Sequence, residues 1–285
     1  MPELPEVETV RIGLAEHLLH RPIAAVAVSH NRAIRRHAAG KLDFQRRLIG
    51  ANFQNVKRRG KFLWLSIGDQ ALMIHLGMSG QCLVVSPSAA RHQHERIRIE
   101  FTDGHNALSF VDQRTFGGAH LDELAVDKFN QLVPKSVHHI GLDLFDPDFD
   151  LTGAAKQLRS RRIEVKRALL DQAAVSGIGN IYADEALWLA KVHPRRTADS
   201  LSIKSAQNLL QAAAEVMQQA LRQGGTSFDE LYVNVNGESG YFSRSLNAYG
   251  QAGRPCPRCS RPIKRERFTN RYSHLCPHCQ RAPQR

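Results

Sequence analysis

The absences in this 285-residue chain narrow its identity before any motif does. No apolar run approaches the roughly eighteen residues that a membrane-crossing helix needs, so a helical span is not expected. The opening Met1-Pro2-Glu3-Leu4-Pro5-Glu6 is acidic and lacks the apolar centre of a secretory signal, which predicts a cytosolic protein. Only five cysteines occur, and four of them fall between positions 256 and 279. In the cytosol such thiols are reduced or metal-bound, and a disulfide framework is not expected. There is no Ser-His-Asp set, phosphate-binding P-loop, dinucleotide fingerprint, internal repeat or low-complexity tract. The fourteen histidines show no metal-like spacing, and His75, between strand-like residues, reads as structural. What remains is 42% hydrophobic and 23% charged, the composition of a globular chain able to bury a sizeable core.

Acidic residues are also scarce relative to basic ones. Lys and Arg number 39 against 27 Asp and Glu, giving a net charge of +12 and a pI near 9.9. Such a balance favours a polyanionic partner, of which nucleic acid is the commonest. The excess is concentrated: from Arg254 to Arg285 nine Lys/Arg face the single acid Glu266, a net +8. A merely solvated surface would spread its charge, so this clustering reads as an electrostatic footprint.

Val7, Val10, Leu14 and Leu18 recur at helical spacing, which predicts an amphipathic helix directly after the Pro2–Pro5 segment. Strand-like runs follow at Phe62 to Ile67, Leu72 to His75 and Gln81 to Val85. Arg96 to Phe101 alternates, and Asp103-Gly104 marks a turn before Leu108 to Val111. Short antiparallel strands at this spacing predict a sandwich. From Gly141 to Asp150 four acids and a proline read as a linker. Beyond it Ala206, Leu209, Leu210, Ala213, Met217, Ala220 and Leu221 share one helix face, stopped by Gly224-Gly225. Tyr232 to Gly250 reads as loop.

Two local patterns carry chemistry. Cys256-x2-Cys259 and Cys276-x2-Cys279 place four thiolates on two tight turns, the arrangement a tetrahedral zinc requires. So short a segment cannot close an apolar core, so the metal would supply its folding energy. Cys82, in a strand run, reads as a small core residue. At the other end, removal of Met1 would leave Pro2 with a free secondary amine, a nucleophile towards an aldehyde-like carbon. Glu3 and Glu6 beside it suit a helix start and could shuttle its protons. Taken alone, Pro and Glu are also ordinary helix-start residues.

Pro2-Glu3-Leu4-Pro5-Glu6-Val7-Glu8 closely resembles the start of the formamidopyrimidine-DNA glycosylase family, the bacterial 8-oxoguanine glycosylases. His75 to Gly80, Asp112 to Gly117, Gly177 to Glu185 and Gly240-Tyr241-Phe242 resemble further family segments in family order, and the cysteine module completes the set. The resemblance runs from Pro2 to about Gln280. It implies that Pro2 attacks C1′ of the damaged nucleotide, expels the base and forms a Schiff base, with Glu3 assisting proton transfer at the sugar and Glu6 holding the site together. Lys61, in Arg58-Arg59-Gly60-Lys61, would contact phosphate near the lesion and join the catalytic set, as would Arg271 in the cysteine module. Met78, Arg114 and Phe116 match the residues that fill the space left by the extruded base, with Arg114 serving the orphaned cytosine. Without the resemblance, Met78 and Phe116 would be read as core. Thr115 stands where many relatives carry a second arginine, which leaves Arg114 in register and touches only a secondary phosphate contact. His94, Lys166 and Asn180 join the DNA-binding set, Asn180 at a helix start where amides meet phosphate. Gly237 to Phe242 resembles the loop that closes over the flipped purine, and Tyr272-Ser273-His274 is unusual for the zinc hairpin.

The expectation is therefore a multidomain α+β protein. Residues 1–138 form a catalytic β-sandwich with a leading helix, 139–150 a hinge, 151–247 a helix–two-turn–helix domain with the lesion-capping loop, and 248–285 a zinc finger holding one structural Zn2+. The expected partner is duplex DNA carrying oxidised purines or abasic sites. The expected state is a monomer associated with the nucleoid, and basic residues of both large domains would line a cleft for bent DNA. The expected chemistry is base removal followed by β,δ-elimination. Two rivals are an endonuclease VIII-like enzyme for oxidised pyrimidines and a silent DNA-binding protein. Leu4 to Glu8 with Met78, Arg114 and Phe116 favours the purine branch, and retention of Pro2, Glu3 and Lys61 argues against a mere binder.

Overall fold

The computed structural model of the chain describes residues 2–224, 234–238 and 245–283. The chain divides into two compact units, Met1–His139 with Gly224–Tyr241, and Ile140–Gln223 with Phe242–Arg285.

The first unit opens on helix α1 (Leu4–Leu18). Its start is fixed by a reciprocal capping box between Glu3 and Glu6, with a proline in the first turn. Val7, Val10, Leu14 and Leu18 are all buried, as their spacing predicts. A four-stranded antiparallel sheet runs β1-β6-β7-β5. Its strands are β1 (Ile23–Val28), β5 (Gly80–Val85), β6 (Glu95–Phe101) and β7 (Ala107–Asp112). A five-stranded sheet runs β2-β3-β4-β8-β9, also antiparallel. It is built from β2 (Asn55–Arg59), β3 (Phe62–Ile67), β4 (Gln70–His75), β8 (Gly118–Val126) and β9 (Leu132–Pro134). Helix α2 (Gly40–Leu48) adds Phe44 and Leu48 to the same core. Leu14, Leu18, Phe53, Leu63, Leu65 and Cys82 are fully buried within it, each large side chain contributing about 1.5–3 kcal/mol. Burial pushes the Cys82 thiol up to about 12, so it is an inert core residue, as expected.

The sequence pattern does not pick out β2, and the structure shows why. This strand reads Asn-Val-Lys-Arg-Arg, and its basic side chains are matched by remote acids: Arg58 Nε donates to Glu8 Oε2 at 2.6 Å, and Arg59 pairs with Asp127. Segment 234–238 also belongs to this unit. The Val84 amide donates to the Val235 carbonyl at 2.8 Å, and a Cβ added to Gly13 would lie 2.4 Å from a Val235 methyl.

The second unit contains α3 (Leu151–Arg159), α4 (Val165–Leu169), α5 (Asn180–Leu189), α6 (Ile203–Arg222) and the hairpin β10 (Lys264–Phe268)–β11 (Arg271–Leu275). The face of α6 read from the sequence is buried, with Leu221 half-buried. Gly224 follows the helix with φ +76°, a left-handed conformation that glycine adopts without strain; Gly225 lies outside the described residues. The acidic stretch 141–150 forms neither helix nor strand. Its carboxylates shape turns: Asp143 accepts the Phe145 amide, Asp146 the Asp148 amide, and Asp150 caps α3 by accepting the Thr152 amide. Among the described residues no helix is long and apolar enough to cross a membrane.

Candidate active site and nucleic-acid interface

In the first unit Pro2 is buried immediately before α1. Glu3 and Glu6 are 3% and 8% exposed, and the Glu3 amide donates to Glu6 Oε2 at 2.8 Å. Gly60 and Lys61 form the turn between β2 and β3, with Gly60 at φ +55°. The Arg58–Glu8 ion pair lies just before that turn and holds this end of the hairpin beside the first turns of α1. Arg11 donates to the Val56 carbonyl and Arg58 pairs with Glu8, so β2 runs towards the start of α1 and its turn brings Lys61 to the helix end that bears Pro2, Glu3 and Glu6. Arg11 donates to the same Glu8 carboxylate, and although burial opposes ionisation, the two guanidiniums hold it below the usual carboxylate range.

Met78 and Phe116 are each 41% exposed, so neither is core. They sit on two neighbouring segments, 76–79 and 113–117. A Cβ on Gly77 would lie 2.4 Å from the Gly117 amide nitrogen, so only glycine permits this approach. Arg114 is exposed, and its guanidinium carbon lies 5.0 Å from the Phe116 ring centroid, so the two form a cation–π pair. The His94 carbonyl accepts the Asp112 amide at 3.0 Å, and its ring nitrogen lies 3.3 Å from Arg96, which places His94 beside the same loop.

Near this loop Arg35, Arg36, His75 and His120 line a shallow hollow with Ala33, Gly118 and Ala119. Burial, and then the Arg36 and Arg35 charges, push the His75 imidazole down to about 4, so it is neutral at pH 7. It accepts the Gly77 amide at 3.1 Å, which gives its structural reading a concrete partner.

In the second unit Lys166 is fully buried: its ammonium lies 2.6 Å from Asp184 Oδ1 and donates to the Tyr272 carbonyl at 3.2 Å. Asp184 also accepts the Ser273 hydroxyl at 2.8 Å and the His274 amide at 2.7 Å. The unusual Tyr272-Ser273-His274 sequence is thus the contact surface between the hairpin and α5. Asn180, the first residue of α5, donates to the same Tyr272 carbonyl at 3.2 Å, and its buried Oδ1 has no hydrogen-bond partner. Arg271 is exposed at the start of β11, next to the Thr269-Asn270 turn. Of the loop predicted to close over the base, the Gly237 amide donates to the Asn234 carbonyl and the Glu238 amide to Asn234 Oδ1, each at 3.0 Å, whereas Ser239 to Phe242 lie outside the described residues.

The sulfurs of Cys256, Cys259, Cys276 and Cys279 all lie within 4.8 Å of one another. Four thiolates around one tetrahedral zinc sit about 3.8 Å apart, so the set fits one structural Zn2+ with all positions filled by protein. Trp188 Nε1 donates to Cys256 Sγ at 3.4 Å, and the Gln280 side chain joins the Cys276 amide to the Val192 carbonyl. Against the effect of burial, the Trp188 N–H and neighbouring backbone donors bring the Cys256 thiol down to about 7. These donors orient and stabilise the thiolates.

The sequence assigned no role to Asp112, Ser79, Arg35 or Asp184. Asp184 carried one usable signal, because it stands four residues after Asn180 and so shares its helix face. Arg35 carried none, since the loop carbonyls it donates to stand 80–82 positions away and its one near partner is the Arg32 carbonyl.

Three family models match the chain: the formamidopyrimidine-DNA glycosylase N-terminal domain over residues 1–119, the formamidopyrimidine-DNA glycosylase H2TH domain over 140–230, and the zinc finger found in FPG and IleRS over 253–282. A formamidopyrimidine-DNA glycosylase of Rhodococcus jostii is 56% identical, covering 100% of this chain and 98% of its own. One from Mycobacterium avium is 55% identical over 99% of both. Among solved structures, MutM in complex with DNA containing carbocyclic 8-oxo-G superposes with a TM-score of 0.85 at 32% identity, covering 99% of this chain and 100% of that one. A Lactococcus lactis FPG variant bound to Fapy-dG DNA gives 0.86 at 31%, with the same coverage.

Proposed function

The chain belongs to the formamidopyrimidine-DNA glycosylase family, and on that premise we propose that it removes oxidised purines from duplex DNA and cuts the strand at the resulting site, with Pro2 as nucleophile. The observation that carries this reading is the gathering of Pro2, Glu3, Glu6 and Lys61 at one helix end by the Glu3–Glu6 capping box and the Arg58–Glu8 pair. Once Met1 is removed, the proline nitrogen forms a bond to C1′ while the glycosidic bond breaks and the base departs. Glu3, already an acceptor within the capping box, exchanges a proton with the opening sugar. The secondary amine then forms a cationic iminium, which makes the neighbouring C2′ hydrogen acidic and permits β- and then δ-elimination, leaving a one-nucleotide gap. Lys61 and Arg271 act on the phosphates and their departing oxygens. Met78, Arg114 and Phe116, held out of the core, occupy the space left by the base. Glu6, His94 and Asn180 complete the DNA-binding set, whereas Lys166, expected in that set, is fully buried against Asp184 and the Tyr272 carbonyl and supports the surface by holding α4 to α5 and the hairpin. Residues 1–138 act as the catalytic domain, 139–150 as hinge, 151–247 as helix–two-turn–helix domain with its capping loop, and 248–285 as zinc finger, in a monomer working at the nucleoid; the described part of that loop, 234–238, is in chain order part of 151–247 but packs with the first unit.

Borohydride trapping tests this reading. The untagged protein should form a covalent adduct, mapped by mass spectrometry to Pro2, on a duplex with 8-oxoguanine opposite cytosine. Pro2→Gly should keep DNA binding and lose at least about 10³-fold in cleavage, the scale of a lost covalent nucleophile. An adduct only with thymine glycol would move the chain to the pyrimidine branch. Normal cleavage by Pro2→Gly would sink the proposed nucleophile.

A further inference from the structure

The loop 113–117 has neither helix nor strand, yet its backbone is held by two charged side chains. Asp112 is fully buried: Oδ1 accepts the Ser79 hydroxyl at 2.6 Å and the Arg114 amide at 3.2 Å, and Oδ2 accepts the Gly117 amide at 2.7 Å. Arg35 follows the short 3-10 helix Asn31–Ile34 and turns its guanidinium onto the loop's carbonyls. Nη1 donates to Gly117 at 2.7 Å and Thr115 at 3.5 Å, and Nη2 donates to Phe116 at 2.8 Å. Between them Thr115 adopts φ +52°, a left-handed conformation that a β-branched residue keeps only when its surroundings over-determine it. Because Ser79 directly follows Met78, the same carboxylate also fixes the segment bearing the third exposed side chain.

We propose that Asp112 and Arg35 are positioning residues that clamp the 113–117 loop against segment 76–79, so that Met78, Arg114 and Phe116 stand ready to enter the helix before DNA arrives. This rests on the reading that those three side chains replace the extruded base. A carboxylate taking amides and a guanidinium taking carbonyls satisfy complementary halves of one irregular loop. The loop's conformational entropy is thereby lost on folding instead of on binding. Arg35 is well suited to this because its planar fork reaches adjacent carbonyls at once, which an ammonium cannot do.

The test compares two substrates under single-turnover conditions: a duplex with 8-oxoguanine opposite cytosine, and the same duplex with a preformed abasic site. Extrusion of a stacked base is needed only for the first. Arg35→Gln is expected to slow base excision about 10- to 100-fold, the scale of a misplaced positioning group. Cleavage of the abasic duplex should change less than about two-fold by the same reasoning, since no base has to leave the stack. Arg35→Lys should restore part of the loss. Asp112→Asn should show the same split. If it fails to fold, the exposed Arg35 carries the test alone. A 2-aminopurine beside the lesion should report slower unstacking in the variant. Equal slowing on both substrates, or a salt slope of DNA binding lowered by about one, would mark Arg35 as a phosphate contact and overturn the clamp. If Met78→Ala and Phe116→Ala excise normally, the reading beneath the clamp falls. If they slow excision while Arg35→Gln does not, the clamp alone falls.

Discussion

The sandwich and the cysteine module solve the same problem, holding polar groups still, by different means. In the sandwich an apolar core that includes Leu14, Leu18, Phe53 and Leu63 carries the stability. Loops such as 113–117 are then fixed by hydrogen bonds to buried or anchored side chains. In the cysteine module the apolar cluster comprises Trp188, Ala248, Ile263 and two of the cysteines, too little to order so basic a segment unaided. There a metal and a buried ion pair replace the core. Each way of building a rigid interface therefore carries its own vulnerability, to chelation in one region and to pH in the other.

The sharpest way to break this comparison is to remove the metal. Exhaustive chelation, or Cys276→Ser, should unfold residues 253–283 and abolish DNA binding while the sandwich keeps its thermal transition, because structural zinc contributes on the order of 10 kcal/mol to such modules. Hydrogen exchange read on the metal-free protein decides it: a module still protected would mean that its core suffices. Next in size is the buried pair. Lys166→Met leaves the Asp184 carboxylate buried without its cation, which should cost about 3–5 kcal/mol in urea unfolding. The double variant Lys166→Met/Asp184→Leu should recover most of that stability, and a double variant as unstable as the single would refute this account.

The sandwich should instead be sensitive to acid through His75. Its folded pKa, about 4, lies below the ordinary value of 6.5, so the unfolded chain binds the proton first. Stability from this group is complete above 6.5 and falls as pH drops towards 4, by about 3 kcal/mol at that point. His75→Gln should flatten this part of the Tm–pH curve, and an unchanged slope would assign it to other groups. The smallest effect is expected at the Lys135–Glu123 pair, whose side chains are 58% and 67% exposed. Solvent screens such a contact, so Lys135→Ala should leave Tm unchanged in a melting scan.

Much of this was legible in the residues. The face of α1 and the cysteine spacing are local patterns, readable because periodicity and ligand geometry are set by near neighbours. β6 (Glu95–Phe101) could be read from its alternation for the same reason. β2 was not legible, since the acids that neutralise it stand 50 and 68 positions away. The motif segments likewise named Pro2, Lys61, Met78, Arg114, Phe116, Asn180 and Arg271 without saying what holds them.

By itself, then, the sequence determined which short elements form, that a four-thiolate metal site exists, and which family the segments resemble. Tertiary structure alone decided that Met78 and Phe116 face outward, that Lys166 is buried against Asp184, and that Asp112 takes the amides and Arg35 the carbonyls of one loop. The physical reason is range. Helical and strand periodicity act over a few residues, whereas an ion pair or a backbone clamp depends on groups that only the completed fold brings together, as with Ser273 and Asp184 at a separation of 89 positions.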